Sequence, residues 1–122
     1  MKKILLIEDD TVMRENTAEI LELAQYKMFT APNGKKGCVL AKEISPDLII
    51  CDVMMPNLDG FEFVRAIKGS QSLQRVPVIF LTAKIDPRSM IDGINVGARF
   101  YVTKPFQIDD LLSKVRRALS TR

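Results

Sequence analysis

Histidine is absent from all 122 residues. Its absence removes Ser-His and Cys-His nucleophile systems and most zinc sites, which use imidazole as base or ligand. Cysteine is scarce: Cys38 and Cys51 are too few for a disulfide framework or a metal knuckle. Both lie in apolar segments and read as small buried hydrophobes. No apolar run approaches the ~20 residues that a membrane span needs. The opening residues, MKKILLIEDD, set a basic start and a short apolar run directly against Glu8, Asp9 and Asp10. That reads as a first strand rather than a secretory leader, and the expected compartment is the cytoplasm. Repeats, low-complexity segments and an interdomain linker are also missing. The net charge is a modest +3, with basic residues spread along the chain. A small cluster at Lys114, Arg116, Arg117 and Arg122 reads as a solvated helix face, so no nucleic-acid binding by this domain is expected.

What is present is a core. With 47% hydrophobic residues, the chain can bury one of its own, and a single domain over residues 1–122 is expected. The segment Leu48 to Gly60, LIICDVMMPNLDG, organises the rest. Leu48 to Cys51 have the bulk and branching of a strand buried on both faces, and the run ends abruptly in Asp52. Pro56, Asn57, Asp59 and Gly60 then mark a loop.

Taken in order, Lys3–Ile7 is a short apolar strand. Asp10 or Thr11 caps a helix whose buried stripe is Met13, Thr17, Ile20, Leu21 and Ala24. Lys27–Ala31 is a more polar strand, expected near a sheet edge. Pro32, Asn33 and Gly34 lead into a helix to about Ile44, with Cys38 and Ala41 inward. Gly37 within it costs about 1 kcal/mol against Ala, which calls for a packing reason or a weak helix. Ser45-Pro46-Asp47 breaks that helix before the Leu48 strand. A third helix after Gly60 places Phe61, Val64 and Ile67 on one face. Gly69 to Gln74 connects it to a strand, Val76–Leu81, that ends in Thr82. Asp86-Pro87 opens a fourth helix to about Val96, and Gly97 is placed to stop it. Arg99–Val102 is a fifth strand running into Thr103, Lys104 and Pro105. A last helix, Ile108–Leu119, buries Leu111, Leu112, Val115 and Leu119. Strand and helix alternate five times, which predicts an α/β fold: a parallel sheet with helices on both faces. In such sheets ligands bind beyond the carboxyl ends of the strands.

Those ends carry Glu8 and Asp9, Asp52, Thr82 and Lys104. Any one of them has an ordinary use as a cap, a strand end or a surface residue; on one rim they form a constellation. Three carboxylates repel one another unless a cation lies between them. An all-oxygen set suits Mg²⁺, which favours carboxylate and phosphate oxygens. Asp52 is then a candidate nucleophile toward a phosphoryl group, and such transfer needs in-line positioning and charge neutralisation rather than a histidine base. The Lys104 ammonium and the Thr82 hydroxyl can serve the phosphoryl oxygens.

The acid pair before a helix, together with ICDVMMPNLDG, FLTA and YVTKPF, resembles the receiver domain of two-component response regulators along essentially the whole chain. The resemblance implies a flavodoxin-like (βα)5 doubly wound sheet in three layers, with strand order 2-1-3-4-5. It implies that Asp52 is the phosphoacceptor and that Mg²⁺ is held by Glu8, Asp9, Asp52 and the backbone carbonyl of Met54. Thr82 and Lys104 bind the phosphoryl group, a cis peptide precedes Pro105, and Thr82 and Tyr101 form the switch. By the same resemblance the chain is a signalling domain and not an enzyme. Its phosphodonor is a sensor histidine kinase, a phosphotransfer protein or a small phosphodonor. Its output runs to a downstream protein or output domain through the face of the fourth helix, fifth strand and fifth helix, with Arg88, Met90, Ile91, Asp109 and Lys114 as contacts and dimerisation on phosphorylation as an accompaniment. Neither a membrane nor a nucleic acid is expected as its partner.

Met54 and Lys84 stand two residues after Asp52 and Thr82, where phosphoryl lifetime is tuned in this family; apolar Met54 is expected to shield the acyl phosphate from water. A flavin-binding protein of this fold would need a phosphate loop after the first strand, where Glu8-Asp9-Asp10 would repel it. An aspartate-based phosphatase would carry a second aspartate where Met54 stands. A receiver-like interaction module that is never phosphorylated remains the alternative.

Overall fold

Short strands, the central three buried on both faces, set the architecture. The computed structural model describes residues 1–83 and 87–120, the side chains at 87 and 89 excepted. Lys84, Asp86 and Arg122, which the sequence singles out, lie outside the described residues. The element order is β1 (Lys3–Ile7), α1 (Thr11–Leu23), β2 (Lys27–Ala31), α2 (Gly34–Ile44), β3 (Leu48–Cys51), α3 (Gly60–Lys68), β4 (Val78–Thr82), α4 (Pro87–Val96), β5 (Phe100–Thr103) and α5 (Ile108–Ser120). All strand pairings are parallel and the five-stranded sheet runs β2-β1-β3-β4-β5, the expected flavodoxin-like order. The more polar β2 lies at an edge, as its composition predicts.

Alternation along each strand divides the core into two. Leu5, Ile7, Ile49, Cys51, Val78 and Phe80 pack with Ala41 of α2 and with Phe63, Val64 and Ile67 of α3. Ile4, Leu6, Leu48, Ile50, Ile79 and Leu81 pack on the other side with Ala18 and Leu21 of α1 and with Leu111, Val115 and Ala118 of α5. These two layers enclose the sheet and give the three-layer arrangement. Each fully buried aliphatic side chain contributes about 1.5–3 kcal/mol relative to exposure.

Several details differ from expectation. The seam of α1 is Thr17, Ala18 and Leu21, while Met13, Ile20 and Ala24 are only half-buried. In α3 it is Phe63 that is fully buried. Phe61 lies at the flank, edge-on to Phe80 with ring centroids 5.3 Å apart. Cys38 is half-buried against the core rather than sealed within it. Leu112 and Leu119 flank the α5 seam, whose buried centre includes Ala118. Strands β4 and β5 begin and end one or two residues later than their apolar runs, so Thr82 and Thr103 belong to the ladder. Gly37 has its packing reason: a Cβ there would lie 2.5 Å from Ile7 Cδ1 and 3.3 Å from Phe63 Cε1. Gly97, at φ +112°, ends α4 in a conformation suited to glycine.

Candidate functional site

The parallel register brings the carboxyl ends of β1, β3 and β4 to one rim. Glu8 leaves β1 with its amide donating to Ala31 O at 3.1 Å, and Asp52 leaves β3 with its amide donating to Ile7 O at 3.1 Å. These bonds extend the ladder by one residue and fix where both side chains start. Asp10 then caps α1, its Oδ1 accepting from the Met13 amide at 2.9 Å. The Asp10 amide donates to Glu8 Oε2 at 3.2 Å, and Arg14 Nη1 donates to the Glu8 carbonyl at 2.7 Å.

After β3 the chain crosses the loop 53–59, where Asn57 takes a left-handed φ of +71°. Asp52 Oδ1 accepts from the Met54 amide at 3.1 Å, which turns the carboxylate toward the loop. The loop closes through the Gly60 amide, which donates to Val53 O at 3.0 Å. A Cβ at Gly60 would lie 2.6 Å from Asp52 O and 2.9 Å from Val53 Cα, so only glycine permits this approach. Asp59 and Glu62 form a capping box that starts α3 there.

Lys104 arrives from the other side. Its amide donates to Thr82 O at 2.8 Å, and the Lys104–Pro105 peptide is cis. Its Nζ donates to Glu8 Oε1 at 2.5 Å and to Asp52 Oδ2 at 2.8 Å. Asp9 joins Glu8 and Asp52 with one carboxylate oxygen from each, all within 4.8 Å of one another. Glu8 and Asp52 are 1% and 5% exposed, whereas Asp9 faces solvent. Thr82 is buried at the end of β4. Tyr101 is half-buried one strand over, its ring 5.4 Å from that of its register partner Phe80. Met54 is 62% exposed on the loop over the site.

Burial pushes the Glu8 carboxyl up to about 7 from its ordinary 4.5, and the neighbouring Asp52 adds to this against the hydrogen bonds from Lys104 and the Asp10 amide. Burial opposes the charged form of Lys104, but its bonds to Asp52 and Glu8 outweigh that, and its pKa is raised. Behind the site, burial pushes the Cys51 thiol well up, so it stays neutral, and its Sγ donates to Asp52 O at 3.3 Å. Among the described residues the Lys104 ammonium meets Glu8 and Asp52, Asp9 brings a third carboxylate, and these donors are all oxygen. This set fits a hard divalent cation such as Mg²⁺.

The structure thus gathers Glu8, Asp9, Asp52 and Lys104, and sets Thr82 one strand away. Arg14 is a residue that the sequence alone did not single out, and Gly60 was read only as a loop residue before the third helix. The Asp59–Glu62 capping spacing signals that Gly60 opens a helix, while its closeness to Asp52 comes from tertiary packing. Arg14 gave no signal.

The chain matches the response regulator receiver domain family over residues 4–116. It is 37% identical over 119 residues to the DNA-binding dual master transcriptional regulator RpaA of Synechocystis, covering 98% of this chain and 49% of that protein. The chain spans about half the length of the curated relatives it matches. Chemotaxis protein CheY4 of Vibrio cholerae superposes with a TM-score of 0.94 at 34% identity, covering 98% of this chain and 99% of that one. The receiver domain of a sensor histidine kinase of Pseudomonas aeruginosa PAO1, with a magnesium ion coordinated in its active-site cleft, superposes with a TM-score of 0.91 at 28% identity over 98% of each chain. Fold, rim chemistry and whole-length similarity agree: the chain belongs to the response regulator receiver domain family, signalling domains of two-component systems rather than catalytic enzymes.

Proposed function

We propose that residues 1–122 act as one receiver domain whose Asp52 accepts a phosphoryl group from a sensor histidine kinase, a phosphotransfer protein or a small phosphodonor. The observation that carries this reading is Lys104 Nζ bonded at once to Glu8 and Asp52, beside Asp9, on a single rim. A carboxylate oxygen of Asp52 attacks phosphorus. The P–N bond of a phosphohistidine, or the P–O bond of a small donor, breaks with its electron pair leaving on the donor. The new bond is an aspartyl acyl phosphate. Lys104 and Thr82 hold the phosphoryl oxygens, with Lys104 tethered to the end of β4 by the hydrogen bond that its backbone amide donates to Thr82 O. Mg²⁺, held by Glu8, Asp9, Asp52 and the Met54 carbonyl, supplies neutralisation of the phosphoryl charge when bound.

The added charge biases Thr82 and Tyr101, and through them the α4–β5–α5 face. Ile91 and Ile94 stand exposed on α4, which also carries Arg88 and Met90, and α5 carries Asp109 and Lys114, which suits a downstream protein or an output domain and dimerisation on phosphorylation. The similarity to a transcriptional regulator about twice as long supports an output of that kind, while this domain itself binds no nucleic acid. No helix among the described residues is long and apolar enough to cross a membrane, which is compatible with a cytoplasmic site of action.

Intact mass after incubation with acetyl phosphate tests the reading. One Mg²⁺-dependent phosphoryl adduct is expected, absent in Asp52→Asn. No adduct, with Mg²⁺ binding demonstrated separately, would instead favour an interaction module that works without phosphorylation.

A further inference from the structure

Gly93 lies in the interior of α4 and is buried, although glycine weakens a helix. A Cβ built on it would overlap the Tyr101 hydroxyl and lie 2.5 Å from Cζ and 2.8 Å from Cε2 of the same ring. These three nearest atoms all belong to Tyr101. The ring therefore rests directly on the backbone of α4. On its other flank it meets Phe80 at 5.4 Å between centroids, with the planes tilted by 53°. Phe80 in turn takes Phe61 edge-on. Phe80 pairs with Tyr101 and Thr82 pairs with Thr103, and alternation along β4 puts Phe80 and Thr82 on one face of the sheet.

We infer that Gly93 is a positioning residue: its missing side chain is the seat in α4 that receives the Tyr101 ring, locking α4 to β5 on the face that carries Thr82. The ring cannot keep this place if residue 93 gains even one methyl group. The steric partner is aromatic carbon as well as the hydroxyl, so removing the oxygen does not relieve the overlap. The lock itself is independent of phosphorylation; its use as part of the response to Asp52 rests on the proposed function.

Thermal unfolding of a double-mutant set tests it. In an ordinary helix interior, Gly→Ala raises the unfolding midpoint. Here Gly93→Ala is expected to lower it in the parent and in Tyr101→Phe, and to raise it in Tyr101→Ala, where the seat is empty. If Gly93→Ala alone fails to fold, recovery of folding in Gly93→Ala/Tyr101→Ala supports the seat, and failure of that double variant while Tyr101→Ala folds contradicts it. Equal losses with and without the ring, or a gain in the parent, would overturn the inference.

A second readout is not a matter of stability. The chain has two tyrosines and no tryptophan, so 3-fluorotyrosine labelling gives one ¹⁹F signal each for Tyr26 and Tyr101. Gly93→Ala is expected to shift the Tyr101 signal and to change its response to acetyl phosphate with Mg²⁺, while the phosphoryl adduct still forms by mass. An unshifted Tyr101 signal would contradict the seat. Absence of the adduct in the parent protein would count against the proposed function and leave the unfolding result to decide on Gly93.

Discussion

Lys104 joins two carboxylates from different strands, so the state of one of them controls the charge of the site. Glu8 is held up to about 7, against 4.5 ordinarily. Between those values the folded protein keeps a proton that the unfolded chain releases. The contribution of Glu8 to stability without metal is therefore full below about pH 4.5 and is lost as pH rises through about 7. Metal ligation requires the ionised carboxylate. Mg²⁺ should then raise the melting temperature more at pH 8 than at pH 6, as read by scanning calorimetry; equal shifts at the two values would contradict the assignment of Glu8 as a ligand. Met54, exposed on the loop over Asp52, belongs to the same scale. Its thioether side chain covers the acyl phosphate from water in this account. Met54→Asn should shorten the phosphoryl lifetime severalfold, measured by loss of the adduct after removal of the donor, and an unchanged rate would remove the shielding role.

Among the elements, the β3–α3 connection is packed backbone against backbone. Gly60 opens α3 with no room for a side chain against the backbone of Asp52 and Val53, whereas Gly69 at the other end has φ −74° and 3.4 Å or more of clearance. Gly60→Ala forces the backbone that carries Asp52 to move, at about 1–3 kcal/mol by analogy with overpacked cores. Gly69→Ala should be neutral or stabilising by about 0.4–1 kcal/mol, since its native conformation suits alanine. Chemical denaturation of the two variants, with Mg²⁺ affinity alongside, checks the contrast: only Gly60→Ala should lose both stability and metal binding. The elements also show what the sequence could and could not tell. The strand ends at Asp52 and Thr82 were legible because a solid apolar run stopping in a polar residue has few other meanings. The face of α3 was not, because Val64 and Ile67 fit a stripe with either Phe61 or Phe63, and only the sheet beneath selects Phe63. Arg14 and Gly93 were not legible either. Their partners, the Glu8 carbonyl and the Tyr101 ring, are brought to them only by tertiary packing.

Across the whole molecule, stability is concentrated at the middle of the sheet. β1, β3 and β4 are paired on both edges and covered on both faces, while β2 lies at an edge with most of its residues at least partly exposed. Native-state hydrogen exchange should find the slowest amides at residues such as Leu6, Ile50 and Ile79, with β2 opening at lower free energy. Protection of β2 equal to that of β3 would show that something further covers that edge. The same central strands carry the site at their carboxyl ends, so the rigid part of the fold holds Glu8 and Asp52, and the outer β5 and α4 are left to respond. The strand order was legible only through family resemblance, because alternation alone allows several parallel orders. The most direct test of the central claim is to locate the phosphoryl group chemically. After acetyl phosphate and Mg²⁺, borohydride reduces an aspartyl phosphate to homoserine, which peptide mass mapping places in the chain. Homoserine at position 52 alone, and only with Mg²⁺, is the predicted result. Reduction at Asp9 or elsewhere, with Asp52 intact, would contradict it.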